Sequence, residues 1–299
     1  MLNKILNKFN HLKNILLGKL NIYRVFKIND YSIQISYLHK LQDLQKIYPY
    51  YDKFLNHFVK YLPSGSIVVD VGANVGDTLL SMVSGNSKLE YICIEPDDKF
   101  FFDLEKNIQM LKKQNNTLMI EAVKELVGLE INNVSLSGSD SSAHAEPGKG
   151  LIKSKKLSTI FDELSLKSSR LSLLKTDVDG FDWDVINSSY DLLDSCPYLY
   201  FECFHSNEYQ LNNYKKLFQN LKIKGYENFL FFDNFGKKIS TVSDIKIINE
   251  LLEYTKKSHK QRSAGTIAYY DILAYNNNVY SLIEKIVNEY NQVINLKKN

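Results

Sequence analysis

A glycine-containing turn between a strand pattern and a helix pattern is the clearest candidate for chemistry in this chain. Its residues are Asp70, Val71, Gly72, Ala73, Asn74, Val75, Gly76, Asp77 and Thr78. Such a turn exposes backbone N–H groups, and glycine leaves room for a ligand to approach. A dinucleotide-binding turn has the pattern Gly-x-Gly-x-x-Gly, and Asn74 stands where its second glycine belongs. An acidic residue, Asp70, also precedes the first glycine. The turn therefore favours a cofactor with an amine and no phosphate group, which points to S-adenosylmethionine.

Acidic residues also end two further strand patterns. Glu95 closes the apolar run 90–95, where a carboxylate can accept hydrogen bonds from both hydroxyls of a ribose, and Pro96 follows it. Asp177 closes the run 171–177. Because ligands of an open α/β sheet bind beyond the C-terminal ends of its strands, we expect Glu95 and Asp177 to face the same crevice as Asp70.

Four carboxylates crowd into the eight residues that begin at Asp177. They are Asp177, Asp179, Asp182 and Asp184. Acidic side chains so close together need a cation or a helix N-terminus to offset their repulsion. We interpret Asp182 and Asp184 as first-turn residues of the following helix. Asp177 is the candidate catalytic and cofactor-binding residue, and Asp179 is a candidate acceptor-binding residue.

Two more polar residues, Glu202 and His205, lie at the end of the strand pattern 198–204. Glu202 is a candidate acceptor-binding residue, and His205 is either a catalytic base or a hydrogen-bonded structural group. Together with Asp177 and Asp179, these residues also offer ligands for a divalent ion. We favour a metal-free mechanism in which Asp177 or His205 takes the proton of the nucleophile.

The alternation of short apolar runs with helical patterns predicts an α/β fold with a mostly parallel sheet covered by helices on both faces. Seven strands are predicted, at 66–71, 90–95, 117–123, 171–177, 198–204, 228–233 and 266–275. The last two are expected to form an antiparallel edge. Helices are predicted at 40–62, 77–83, 97–113, 181–193 and 207–224, and loops at 135–150 and 256–265.

Charge is distributed unevenly over the 299 residues, whose net charge is +3. Of 37 basic residues six precede Asp30, which leaves 31 basic against 34 acidic side chains in the remainder. A mildly acidic body argues against nucleic acid as the partner. The three cysteines show no ligand-like spacing and are expected as reduced thiols in a cytoplasmic protein.

The N-terminal segment differs from the rest in both charge and periodicity. Residues 1–62 are predicted as a basic, amphipathic helical extension, and 63–299 as the α/β domain. Residues 1–28 either contact an anionic inner membrane surface or pack on the domain or on a partner subunit. Neither a signal peptide nor a membrane-spanning run is apparent in the sequence.

From residue 66 to about 275 the chain resembles the FkbM-type S-adenosylmethionine-dependent methyltransferases. The resemblance rests on ordered segments: 70–76, 94–96 with Asn107, 121–123, 139–142, 174–180 and 200–202. Asp179-Gly180 stands where this family usually has Glu-Gly, which keeps the carboxylate. The first 60 residues lie outside the resemblance.

The resemblance implies a class I, Rossmann-like methyltransferase fold with a seven-stranded sheet. It implies that Asp70, Gly72, Asn74 and Gly76 line the methionine end of the cofactor. Glu95 would bind the ribose, Ala122 would face the adenine edge, and Ser141 and Ser142 would cover the cofactor. Asp177 would lie near the transferred methyl group. Ala73, Asp77, Thr78 and Pro96 belong to the same candidate cofactor site.

The acceptor class implied by the resemblance is a hydroxyl group of a sugar or of a polyketide-like natural product. The basic segment 256–265 predicts binding of an anionic acceptor, such as a nucleotide-linked or lipid-linked sugar. Arg262 is the candidate ligand for its phosphate or carboxylate group. An ordinary solvated loop is the alternative. We therefore expect O-methylation of a cell-surface glycan or its precursor in the cytoplasm, at the membrane face. A nicotinamide-dependent oxidoreductase or epimerase, disfavoured by Asn74, and a non-catalytic scaffold remain as other classes.

Overall fold

The computed structural model describes residues 13–18, 20, 22–39, 41–129, 134–138, 143–147, 152–258 and 265–296. The strands are β1 (Tyr23–Ile28), β2 (Tyr31–Ser36), β3 (Ile67–Val71), β4 (Glu90–Ile94), β5 (Met119–Val123), β6 (Leu126–Val127), β7 (Val134–Gly138), β8 (Ala143–Pro147), β9 (Ser154–Lys155), β10 (Leu171–Thr176), β11 (Tyr198–Cys203), β12 (Asn228–Asp233), β13 (Lys238–Val242) and β14 (Tyr270–Tyr275).

The helices cover most of the remaining described chain. They are α1 (13–18), α2 (Leu41–Ile47), α3 (Phe54–Phe58), α4 (Asp77–Gly85), α5 (Asp98–Gln114), α6 (Leu157–Glu163), α7 (Asp182–Ser188), α8 (Glu208–Ile223), α9 (Ile245–Ser258) and α10 (Tyr280–Leu296). Short 3-10 helices lie at Val59–Tyr61, Ser168–Arg170, Tyr190–Ser195 and Asn277–Val279.

One eight-stranded sheet is the centre of the fold, with the order β13-β12-β14-β11-β10-β3-β4-β5. Five neighbouring strands, from β11 to β5, are parallel. β14 lies between β11 and β12 and is antiparallel to both, and β13 extends the edge as the antiparallel partner of β12. The seven predicted strands are therefore present and β13 is an additional eighth. As predicted, 228–233 and 266–275 form an antiparallel pair, β12 with β14, and this pair lies next to the edge strand β13.

Both faces of the sheet are covered by helices, as predicted. In β3 every residue is buried, as expected of a central parallel strand. Val68 belongs to the hydrophobic cluster that includes residues of α3, α4, α5 and α10. Ile67 and Val69 point the other way, into the cluster that includes residues of α6, α7, α8 and α9. Because successive side chains of the strand point to opposite faces, β3 contributes to the hydrophobic cores on both sides of the sheet.

The N-terminal segment is less helical than predicted. The expected helix 40–62 is interrupted: α2 ends at Ile47. Pro49, which has no N–H to donate, lies in the turn before α3. Residues 23–36 form the antiparallel hairpin β1–β2 instead of helix. Asn29 lies in the turn of this hairpin and has a left-handed backbone conformation, with φ +51°, which asparagine tolerates well.

This hairpin packs into the same core as the sheet. Phe26, Ile33 and Ile35 are buried in the cluster that contains Leu79 of α4 and Tyr91 of β4. Packing is therefore continuous across residue 62.

The serine-rich segment predicted as a loop at 135–150 contains β7 and β8, which pair as antiparallel strands. Within the described ranges, no helix is long and apolar enough to cross a membrane.

Candidate active site

A cavity of about 360 Å³ lies where β3, β4, β10 and β11 end. Its wall is formed by His39, Leu41, Leu44, Tyr51, Asp52, Val71, Gly72, Asn74, Asp77, Thr78, Glu95, Pro96, Phe100, Glu125, Leu126, Val127, Val134, Ser154, Lys175, Asp177, Val178, Asp179, Phe181, Asp184, Val185, Glu202, Tyr269 and Asp271. Carboxylates far outnumber basic groups in this wall, so the cavity favours a cationic ligand and disfavours a pyrophosphate.

The glycine turn is shaped by close backbone packing. Gly72 has φ +78°, and a Cβ atom on it would lie 2.1 Å from the carbonyl oxygen of Asp177. Its N–H donates to the Ile94 carbonyl at 2.9 Å, as does that of Ala73 at 3.1 Å. Asn74 also has a left-handed backbone, at φ +48°. The turn is thereby held at the ends of β4 and β10, and only glycine fits at position 72.

The predicted cofactor residues of this turn divide into two groups. Gly72, Asn74, Asp77 and Thr78 line the cavity. Asp70 and Ala73 are buried beneath it, and Gly76 is the N-cap of α4 with φ +87°. Those three residues support the turn, and the described cavity wall does not include them.

Glu95 is fixed by the backbone on both carboxylate oxygens. Its Oε2 accepts a hydrogen bond from the Asn74 N–H at 2.9 Å, and its Oε1 accepts one from the Asp97 N–H at 2.9 Å. Burial raises the pKa of Glu95 to about 7, although these two hydrogen bonds act in the opposite direction. Each oxygen has a second lone pair, so the carboxylate can still accept both hydroxyls of a ribose.

One end of the cavity is apolar. Pro96, Phe100, Leu126 and Val127 line it, and Val134 of β7 completes this side. Such side chains suit the flat faces of a base. Ala122 pairs with Cys93 one position before the last pair of the β4–β5 ladder and, among the described residues, is not part of the wall. Ser141 and Ser142 lie outside the described residues.

A buried cation lies under the turn. Lys175 Nζ is 2.7 Å from Asp70 Oδ1 and 3.7 Å from Asp177 Oδ2, and it donates to the Gly72 carbonyl at 3.4 Å. Burial alone would lower the pKa of Lys175, but the Asp70 and Asp177 carboxylates outweigh it and raise that pKa. Asp70, predicted as a cofactor ligand, is thus the partner of Lys175.

The opposite end of the cavity is acidic and aromatic. The Asp177 side chain is 52% exposed and lines the cavity with Asp179 and Glu202. Five further residues of the wall were not predicted from the sequence. Asp271 and Tyr269 lie near the start of β14, and His39, Tyr51 and Asp52 reach the cavity from the N-terminal segment. The His39 ring lies 3.7 Å from the Asp77 carboxylate. No motif marks these five residues, because a reversed strand and a turn bring them to the site.

His205 does not reach this cavity in the described structure. Its ring is 2% exposed, and Nε2 lies 3.1 Å from the Leu252 carbonyl and 3.0 Å from Thr255 Oγ1. The predicted role as catalytic base therefore has no geometric support, since the ring is held against α9. Arg262 lies outside the described residues.

The two carboxylates assigned to the next helix occupy its first turn as predicted. Asp182 accepts a hydrogen bond from Thr176 Oγ1 at 2.5 Å and another from the Tyr214 hydroxyl at 3.4 Å. Asp184 accepts one from the Leu129 N–H at 3.1 Å and also lines the cavity. In the described part of the chain, no group of three or more His, Cys, Asp or Glu residues is placed to hold a metal ion.

Comparison with known proteins identifies the family of this chain. The family model described as the methyltransferase FkbM domain matches residues 70–228, just over half of the chain. The chain therefore belongs to the FkbM family of methyltransferases, and its methyl donor is S-adenosylmethionine. Among curated proteins, none matches the chain.

Several solved structures are also similar. The FkbM methyltransferase from Methylobacillus flagellatus KT is 19% identical over 50% of this chain and 36% of its own length, with a TM-score of 0.37. The chain thus spans just over a third of that protein. The S-adenosylmethionine-dependent methyltransferase from Agrobacterium tumefaciens is 9% identical (85% and 70% covered, TM-score 0.44). The O-methyltransferase from Bacillus cereus, solved with S-adenosylhomocysteine, is 10% identical (79% and 90% covered, TM-score 0.44).

Proposed function

We propose that this methyltransferase O-methylates a sugar hydroxyl of a cell-surface glycan or of its precursor. The observation that carries the proposal is the position of Asp177, whose carboxylate is exposed in the cavity beside Lys175, one strand away from the glycine turn. A carboxylate there can accept the proton of a hydroxyl nucleophile. The other carboxylates of the same wall can accept hydrogen bonds from further sugar hydroxyls.

The residues present fit the cofactor. Glu95 keeps lone pairs for the ribose, Gly72 leaves the space that a Cβ would fill, and the acidic wall offsets the positive charges of the donor. When bound, S-adenosylmethionine supplies an electrophilic methyl group on a sulfonium centre. The chain contributes by holding donor and acceptor in line, which can be worth about 7–11 kcal/mol. With the donor bound, Asp177 would take the hydroxyl proton as the methyl group passes to the acceptor oxygen.

The acidic wall also restricts the acceptor. A phosphate or carboxylate group inside the cavity would meet Asp177, Asp179 and Glu202 at close range. Any anionic part of a nucleotide-linked or lipid-linked precursor, the group for which Arg262 was predicted, therefore lies outside this cavity in our proposal. Contact of residues 1–28 with the membrane face, where such precursors are found, stays part of the same proposal.

The test is transfer of a labelled methyl group from S-adenosylmethionine to a fractionated panel of cell-envelope sugar precursors. We expect a labelled methyl ether, identified by mass and resistant to alkali. Asp177→Asn should lower kcat by about 100-fold or more while the affinity for S-adenosylhomocysteine stays within a few-fold of wild type. Asp191→Asn, a change at an exposed carboxylate outside the cavity wall, is the control. Label on nitrogen only, or full activity of Asp177→Asn, would contradict the proposal.

A further inference from the structure

Two carboxylates lie side by side on adjacent strands at the acidic end of the cavity. Glu202 of β11 and Asp271 of β14 are register partners in an antiparallel pair. Side chains at such positions point to the same face of a sheet and lie close together, so like charges there are destabilising. Asp177 extends the row, because Thr176 pairs with Phe201 and each is followed by an acidic residue. We call Asp177, Glu202 and Asp271 the carboxylate row.

An unsatisfied atom marks the centre of this row. Glu202 is 9% exposed and lines the cavity, yet its Oε2 atom is buried without a hydrogen-bond partner among the described residues. An unpaired buried carboxylate oxygen is more unfavourable than an unpaired neutral polar group. Buried polar atoms without partners are uncommon in native proteins and call for an explanation.

The surroundings do not supply the missing positive charge. Lys175 is the only lysine or arginine in the described cavity wall, and Asp70 holds it at 2.7 Å. Asp52 lies in the same wall and adds a further carboxyl group, whose pKa is raised to about 7, mainly by burial. Burial and then the neighbouring carboxylates raise the pKa of both Glu202 and Asp271. The tyrosines at 51 and 269, which complete this end of the cavity, carry no charge to offset the row.

We infer that the carboxylate row, with Asp52, forms an acceptor subsite for a protonated primary amine, as in an amino sugar whose neighbouring hydroxyl is methylated. This inference rests on the proposed function. An ammonium group offers three N–H donors and a positive charge, so it satisfies Glu202 Oε2 and offsets the repulsion at once. A hydroxyl supplies donors without the charge, and a phosphate adds repulsion. The described carboxylates are also not arranged to hold a metal ion.

The subsite is tested with three matched probes: glucosamine, N-acetylglucosamine and glucose. Their affinities for the protein saturated with S-adenosylhomocysteine are measured at neutral pH by ligand-observed NMR. We expect glucosamine to bind at least tenfold more tightly than the other two. Glu202→Gln and Asp271→Asn should remove this preference, whereas Asp191→Asn should keep it. Equal affinities for the three probes, or binding of none of them, would overturn the inference.

The affinity for S-adenosylhomocysteine is measured in each variant to separate the two proposals. If the wild-type protein binds S-adenosylhomocysteine but shows no preference for glucosamine, the subsite is refuted and the proposed function stands. A tenfold loss of S-adenosylhomocysteine affinity in both Glu202→Gln and Asp271→Asn would assign the row to the donor and overturn the inference. If either variant fails to fold by circular dichroism, the probe preference of the wild-type protein still decides.

Discussion

Lys175 and Asp70 form a buried ion pair, with 2.7 Å between Nζ and Oδ1, at register partner positions of the adjacent strands β10 and β3. Lys175 is 3% exposed and Asp70 is 1% exposed. Neither group can be buried alone, because a lone charge in the interior is strongly unfavourable. The pair joins the two strand ends that carry the glycine turn and Asp177, and so fixes the floor of the cavity.

Removing one partner should be costly. Lys175→Met leaves Asp70 buried without its cation, and we expect a loss of about 3–5 kcal/mol in the free energy of unfolding. The double variant Asp70→Asn/Lys175→Met should lose less than the sum of the two single variants, because it removes both charges. Urea unfolding of the four proteins measures this. Additive losses would show that the two side chains do not interact.

The glycine at position 72 should be irreplaceable. Gly72→Ala places a Cβ atom 2.1 Å from the Asp177 carbonyl oxygen, so β10 or the turn must move and S-adenosylhomocysteine affinity should fall at least tenfold. Gly65→Ala is a matched control, since Gly65 has nearly the same φ, +77°, with nothing within 4 Å of the added atom. It should cost about 1–2 kcal/mol of stability, the cost of a left-handed backbone for an L-residue, and leave affinity unchanged. Calorimetric titration decides, and equal affinities for the two variants would refute the packing argument.

Cofactor affinity should depend on pH through Glu95. Its pKa is raised to about 7, mainly by burial, so the protonated form of the free protein prevails below that pH. Ribose hydroxyls donate to the ionised carboxylate, and affinity should therefore rise as pH increases to 7 and level off above it. By the same linkage, Glu95 lowers the stability of the free protein as pH rises from its ordinary pKa to about 7.

The variant Glu95→Gln removes this titration. It should bind S-adenosylhomocysteine at least tenfold more weakly than wild type at pH 8, with a flatter dependence on pH. Titrations between pH 5.5 and 8.5 measure both effects. The same pH profile in wild type and variant would assign the dependence to another group.

Asn107 of α5 should matter for cofactor binding although it lies behind the cavity. Its Nδ2 donates to the Val75 carbonyl at 2.8 Å and to the Gln34 carbonyl at 2.9 Å, and its Oδ1 accepts from the Gln34 N–H at 2.9 Å. It therefore ties the glycine turn to the hairpin β1–β2. Asn107→Ala leaves these buried groups unpaired, at about 1–3 kcal/mol each, and should weaken S-adenosylhomocysteine binding.

A second residue of α5 provides the control for Asn107. Gln114 makes the same pair of hydrogen bonds with the backbone of Ser32, but at an exposed position. Its Oε1 accepts from the Ser32 N–H at 2.8 Å, and its Nε2 donates to the Ser32 carbonyl at 2.8 Å. Gln114→Ala should lower the melting temperature by only a few degrees and leave affinity unchanged. Equal effects of the two variants on affinity would remove Asn107 from the positioning of the turn.

His205 provides a test of the catalytic assignment. Because its ring is held by Leu252 and Thr255, away from the cavity, His205→Asn should lower thermal stability and change kcat less than threefold at a temperature where the variant is folded. A kcat decrease of 100-fold or more would instead restore histidine as the base.

The sequence predicts the central sheet well because hydrophobic periodicity and buried parallel strands leave strong local signals. The strands that end at Val71, Ile94 and Thr176 are found within one residue of the predicted ends. Glu95 and Asp177 reach the cavity for the same reason, since parallel strands of one sheet bring their C-terminal ends to one edge.

Other features depend on contacts between distant segments and leave no local pattern. Asp271 reaches the site because β14 is antiparallel, which brings its N-terminal end beside the C-terminal end of β11. Asp52 reaches it from a turn after Pro49, at φ +51°. Asp70 can be buried because it forms an ion pair with Lys175, and it therefore lies beneath the cavity instead of lining it as the motif predicted. His205 lies at a strand end yet packs on α9, a helix that the sequence analysis did not predict.

The most direct test of this account is calorimetric titration of the folded protein with S-adenosylhomocysteine and, in parallel, with NAD. We predict saturable binding of S-adenosylhomocysteine to one site, weakened at least tenfold by Glu95→Gln, and no measurable heat with NAD. Binding of NAD, or no heat with S-adenosylhomocysteine from protein that is folded by circular dichroism, would contradict the account.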